Sequence, residues 1–191
     1  MSLKIRWQNM RLTMERCIKV KAVAKLVGLC VASYLMFQAI NASVYLNLTE
    51  SLPIGVYVRV PNFKLSRGDY VVYEPSEEIK KLIRENGWGD GKAKFLKQVS
   101  GISGDEYEVD EKHRIFLING KFAGQVFRTD SAGHKLPQLE GKFKVGEDEI
   151  LPCGTNLRSF DGRYTGAIKV SEVEAKVVPI ILWEDKNFEK W

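Results

Sequence analysis

The sequence is poor in the residues that build metal centres and disulfide frameworks: three cysteines and two histidines among 191 residues. Cys17 and Cys30 fall in the first 30 positions, and Cys153 stands alone in the remainder with no C-x-x-C pair. Neither a disulfide scaffold nor a zinc site is expected from that pattern. His113 and His134 are isolated, which leaves a His-based metal centre or a Ser-His-Asp triad short of parts. Six prolines and sixteen glycines are too few for a collagen-like or linker-dominated chain. No repeat with a period of 20–50 residues is visible. Excess positive charge is also scarce outside one end. The net charge is +5, but residues 1–25 hold seven basic side chains and one acid, and residues 26–191 hold 22 basic and 23 acidic. The body is therefore near neutral, and a nucleic-acid partner, which needs basic charge clustered on one face, is not expected.

What the chain does have is one long apolar run. From Leu26 to Thr49 there are 24 residues without a formal charge, placed directly after the basic head. About 20 mostly apolar residues cross a bilayer as a helix, and basic residues before the span stay on the cytoplasmic side. This predicts a basic cytoplasmic head over 1–25, a transmembrane anchor over 26–46 and a translocated β-rich domain over 47–191. The same layout suits a cleaved signal peptide, with Ile40-Asn41-Ala42 as a weak processing site. A buried core helix is a third reading, but it leaves the charge asymmetry unexplained.

After Pro53 the pattern becomes short runs with period two. Strands are predicted near 54–60, 70–74, 94–100, 106–109, 114–118, 123–128, 149–152, 167–170 and 173–182, separated by Gly- and Asp-bearing turns. Asn119-Gly120 is a two-residue hairpin signal. One helix is predicted over 76–86, capped by Ser76 and stopped by Gly87. The fold class is mainly β, a barrel or sandwich with one or two short helices.

Three features could carry chemistry. Ser51 emerges just past the apolar run, in Thr49-Glu50-Ser51-Leu52-Pro53; taken alone it is an ordinary serine. Lys97 lies between Phe95 and Val99 on one face of a strand. Such a lysine either lays its stem along the surface with its head in water, or is desolvated and becomes a base near neutral pH. Asp161 and Arg163 flank Gly162 and suggest an ion-paired turn, which need be no more than a loop salt bridge. Cys153 reads as a small buried hydrophobe.

Taken together, these segments resemble the signal peptidase I superfamily of membrane-anchored serine endopeptidases. The matching stretches, in order, are Ser51 with Pro53, Arg67-Gly68-Asp69-Tyr70-Val71-Val72-Tyr73, Lys97 through Asp105, and Ser159-Phe160-Asp161-Gly162-Arg163. Within the superfamily the wording is most similar to the conjugative-transfer TraF peptidases, in Ser51-Leu52-Pro53-x-Gly55-x-Tyr57 and in Asp130-Ser131-Ala132-Gly133-His134-Lys135-Leu136-Pro137. The chain departs from general signal peptidases at Gln98, Ser103, Gly162 and the stretch Cys153–Arg158.

The resemblance implies a signal-peptidase-like β domain in which Ser51 is the nucleophile and Lys97 the base. It further implies that Thr49 supports the oxyanion, that Ser159 orients the Lys97 amine, and that Asp161 and Arg163 hold the last box. No cofactor or metal is implied. The implied partners are a peptide or pilin precursor, membrane lipid, and other conjugation or secretion components. The implied location is a bacterial inner membrane, single pass, with the catalytic domain periplasmic. A general signal peptidase and a non-catalytic anchored scaffold of a secretion or pilus assembly are the competing readings.

Overall fold

The computed structural model describes residues 2–41, 43–110 and 112–183, with side chains from residue 21 onward apart from residue 41. The chain divides into two units, Met1–Val44 and Tyr45–Trp191.

The first unit is one helix, α1 (Ser2–Asn41), which runs through the basic head as well as the apolar run. Its stretch Lys21–Ile40 is long and apolar enough to cross a membrane. The large apolar side chains there, including Leu26, Leu29, Leu35 and Phe37, are exposed. A lipid-facing helix or a signal sequence has that character; a core helix does not. The helix stops short of residue 46. The Ser43 hydroxyl donates to the Ala39 carbonyl at 2.8 Å, meeting one of the carbonyls left open at the C-terminus. The strand β1 (Val44–Asn47) follows at once.

In the second unit, period-two alternation yields the strands β2 (Gly55–Val60), β3 (Tyr70–Tyr73), β4 (Phe95–Ile102), β5 (Glu106–Asp110), β6 (Ile115–Ile118), β7 (Lys121–Gln125), β8 (Gly141–Lys144), β9 (Glu149–Cys153), β10 (Ile168–Lys169) and β11 (Val173–Leu182). They form a seven-stranded sheet in the order β1-β2-β11-β3-β4-β9-β10 and a four-stranded sheet in the order β7-β6-β5-β8. The fold is mainly β, as expected. Two strands, β1 and β8, were not expected. Asn119 and Gly120 both take positive φ, 50° and 73°, and close the β6–β7 hairpin. The helix α2 (Glu77–Glu85) starts on Ser76, whose hydroxyl accepts from the Ile79 amide. Gly87, at φ 69°, follows its end.

The larger sheet packs Val71, Tyr73, Val99 and Ile150 into one cluster and Tyr57, Val72, Ala175 and Val177 into another. The smaller sheet closes on Tyr107, Val109, Phe116 and Val126, and meets Leu151 and Cys153 of β9. β9 thus serves both layers, and the loop that leaves it carries the residues described next.

Candidate active site

Lys97 is the buried cation of β4, only 5% exposed. Strand alternation puts it on the inward face with Val99, opposite Val71 of β3. Its ammonium lies 5.5 Å from the centre of the Phe95 ring and donates to the Ser159 hydroxyl at 3.0 Å. Burial pushes the amine down to about 8; Arg163 lowers it further, while the charge of Asp161 opposes the shift. The amine is thus desolvated rather than held in water at the surface.

The loop from Cys153 to Arg163 is organised by a fully buried ion pair. Asp161 caps α3 (Gly162–Thr165): one carboxylate oxygen accepts from the Arg163 amide at 3.1 Å and from Arg163 Nε at 2.9 Å. The other accepts from the Gly154 amide at 2.7 Å. The remaining guanidinium nitrogens reach the carbonyls of Leu157 at 2.6 Å, Gly154 at 3.2 Å and Gln125 at 3.5 Å. Gln125 belongs to β7, so Arg163 ties the smaller sheet to the loop that holds Ser159. Each guanidinium nitrogen has a partner, which is what makes a buried charge tolerable. Asp161→Ala leaves Arg163 uncompensated at 1% exposure, and the expected cost is about 3–5 kcal/mol, read as a lowered urea midpoint.

Ser51 lies on a turn organised by Asn47, which the sequence reading placed in the apolar run without a role. Asn47 is 5% exposed. Its amide donates to the carbonyls of Thr49 and Leu52 at 3.0 Å each and of Pro53 at 3.1 Å. Its oxygen accepts from the Thr49 amide at 3.2 Å and the Thr49 hydroxyl at 3.0 Å. Leu52 is buried completely, and Tyr57 donates to the Pro53 carbonyl at 2.7 Å. Thr49 Oγ1 and Ser51 Oγ are 3.2 Å apart. Because Thr49 spends its proton on Asn47, Ser51 is the donor in that contact.

The two halves meet at Gly154. The Ser51 carbonyl accepts from the Thr155 amide at 2.9 Å. A Cβ on Gly154 would lie 2.3 Å from Ser159 Oγ and 2.6 Å from the Ser51 carbonyl oxygen. Glycine is what lets the Ser51 turn and the Ser159 hydroxyl approach from the same side. Neither Gly154 nor Asn47 was singled out from sequence, because each acts through contacts that no local pattern encodes.

Cys153 is buried and its thiol is pushed well up by burial, so it is not a nucleophile at neutral pH. Both histidines sit on other loops against carboxylates: His113 Nδ1 lies 2.5 Å from Asp110, and His134 Nδ1 lies 2.8 Å from Asp130. Among the described residues no group of His, Cys, Asp and Glu could hold a metal ion.

Comparison with known proteins places the chain in a family. The profile of the family described as "Signal peptidase, peptidase S26" matches residues 16–183. A "Plasmid transfer protein TraF" of Escherichia coli is 26% identical over 182 residues, covering 89% of this chain and all of that protein. A second Escherichia coli protein of the same description is 26% identical over 168 residues, covering 82% of this chain and 93% of its own. A solved signal peptidase I from Enterococcus faecalis is 20% identical, with a TM-score of 0.35, over 61% of this chain and 98% of that one. With the family profile covering residues 16–183, which take in most of the helix and the β domain, the chain belongs to the peptidase S26 signal peptidase family, a family of serine peptidases.

Proposed function

We propose that the chain is a membrane-anchored serine endopeptidase that processes a pilus subunit precursor of a conjugation system, with Ser51 as nucleophile and Lys97 as its base. The observation that carries this reading is Lys97: a lysine amine desolvated on an inward strand face, held by Ser159, whose loop also bonds the Ser51 turn.

A serine hydroxyl attacks a peptide carbonyl only when a base takes its proton. Lys97, neutral in part near pH 8, can do so, and then returns the proton to the leaving amine. Ser159 fixes the direction of the amine. The tetrahedral oxyanion forms beside the Ser51 amide, and Thr49 turns its proton from Asn47 toward it. Asp161 and Arg163 keep the 153–163 loop in place. The acyl-enzyme is then resolved by water or, where a substrate amine is positioned, by that amine.

The exposed apolar stretch Lys21–Ile40 and the basic residues before it support an anchor with its N-terminus in the cytoplasm and the β domain on the far side of a bacterial inner membrane. The pilin assignment leans on the plasmid transfer proteins among the relatives; the family description favours a general signal peptidase as the second reading.

The test is mass measurement. Detergent-solubilised protein is incubated with a pilin precursor and, separately, with unrelated secretory precursors. Loss of an end segment from the pilin alone, absent with Ser51→Ala, is the expected result. A ring product weighs one water less than the cleaved linear chain. Processing of many precursors selects the general enzyme, processing unaffected by Ser51→Ala rejects Ser51 as the nucleophile, and no processing of any precursor by the wild type leaves only the scaffold.

A further inference from the structure

The mechanism above gives no part to Asp130–Pro137, to Trp88 or to Arg158, yet these residues meet. A cavity of about 430 Å³ is walled by Trp88, Phe127, Phe160 and Tyr164, with Asp130 and the exposed Arg158 also in its lining. We propose that this cavity receives the stretch of polypeptide substrate that follows the scissile bond, with a large aromatic or aliphatic side chain against Phe160 and an acidic group on Arg158. The inference rests on the Ser51–Lys97 reading and adds to it what the substrate must look like on its leaving side.

Position is the first argument. The Phe160 ring stacks on Tyr164 at 5.4 Å, tilts against Trp88 at 5.3 Å and meets Phe95 edge-on at 6.2 Å. Phe95 is the ring against which the Lys97 ammonium lies. Arg158 and Phe160 bracket Ser159 in the chain, so cavity and base share one short segment. A base that accepts the serine proton must hand it to the departing amine. The departing polypeptide therefore runs past Lys97, on the side of Phe95 and Phe160, while the acyl half stays with Ser51 and Thr49.

Charge is the second. Asp130 also faces this region, but its oxygens are taken by Trp88 Nε1 at 2.7 Å, His134 Nδ1 at 2.8 Å, and the amides of Ala132 and His134 at 2.9 and 2.8 Å. These bonds and the Thr129–Lys135 bridge fasten the loop into a finished wall. Arg158 has no such engagement. Its guanidinium lies 5.3 Å from the centre of the Phe127 ring, and no carboxylate among the described residues forms an ion pair with it. Cation–π packing holds the planar group in position and leaves its N–H edges for a carboxylate. A pre-formed cavity with aromatic walls and one such cation is built for an apolar side chain with an acidic neighbour.

The experiment uses full-length protein in detergent and four peptides that share small residues before the scissile bond. After it they carry Trp-Asp, Ala-Asp, Trp-Lys or Ala-Lys. Binding is read by fluorescence anisotropy on the Ser51→Ala protein, and cleavage by kcat/KM on the wild type. The Trp-Asp peptide is expected to bind about tenfold tighter than either Trp-Lys or Ala-Asp. Arg158→Glu, a change at an exposed side chain, is expected to reverse the Asp-over-Lys preference in both readouts. Equal binding of all four peptides overturns the inference. So does cleavage of all four at equal kcat/KM, with the Ser51–Lys97 reading left standing. Charge-dependent binding with no cleavage by the wild type removes the peptidase reading, and the leaving-side assignment goes with it.

Discussion

Lys97→Arg is expected to lose at least ~10³-fold in kcat/KM although it keeps a cation at the same place. Guanidinium stays protonated throughout the accessible pH range, so it can hold Ser159 but never accept a proton from Ser51. Lys97→Met is expected to be equally inactive for the opposite reason, having no basic atom. For the wild type the sign of the pH dependence follows from the direction of the shift. The amine titrates at about 8, so at pH 7 roughly a tenth of it is neutral. The rate should rise about tenfold between pH 7 and 9 and level off above. A profile that falls over this interval rejects Lys97 as the base.

The same shift predicts an unusual stability curve. The folded-state value lies below the ordinary 10.5, so below pH 8 both folded and unfolded chains hold the proton and the folded state carries the whole cost of the buried charge. Between pH 8 and 10.5 the folded state releases that proton first. Stability from this group therefore climbs across that window, by about 2–3 kcal/mol. Urea midpoints for wild type and Lys97→Met, compared at pH 7 and pH 10, should converge at the higher pH.

Gly154→Ala is the second large effect, and it arises from a residue with no chemistry of its own. The added methyl would stand 2.3 Å from Ser159 Oγ and 2.6 Å from the Ser51 carbonyl. Ser159 cannot yield without releasing Lys97, and Ser51 cannot yield without losing its bond from Thr155. Overpacking of this kind costs about 1–3 kcal/mol. Displacing either group by an ångström is expected to cost ~10²-fold in kcat. Because the methyl displaces the catalytic geometry more than the fold, kcat should fall much further than the urea midpoint. A variant with wild-type kcat would mean that the two serines do not act together.

Much of this fold is legible in the sequence because its strands alternate cleanly and its turns carry Asn, Asp and Gly. β1 was hidden because Val44, Tyr45 and Leu46 continue the apolar run, and the helix end shows only in the packing. β8 was hidden because Gly141-Lys142-Phe143-Lys144 is a mostly exposed edge strand with one half-buried side chain. Asp161-Gly162 reads as a turn, and only the buried partner Arg163 makes it a helix cap. Lys97 could be placed on a face but not assigned a burial, since that depends on Val71 across β3 and on the 153–163 loop. Asn47 is a polar residue within an apolar run until its five bonds are drawn.

The smaller sheet is an excursion between β4 and β9, which are themselves neighbours in the larger one. Its core packs on Leu151, Cys153 and Tyr164, and its bonds to the remainder include Arg163 to the Gln125 carbonyl, Trp88 Nε1 to Asp130 at 2.7 Å, the Phe127 amide to the Tyr164 hydroxyl at 3.0 Å, and the Ala167 amide to the Tyr107 hydroxyl at 3.3 Å. A Cβ at Gly124 would come within 2.9 Å of the Arg163 guanidinium. Length in that excursion is thus cheap to change, and phase is not. Hairpins could be shortened, extended or exchanged by recombination among relatives, provided the returning chain still delivers a residue without a side chain opposite that arginine.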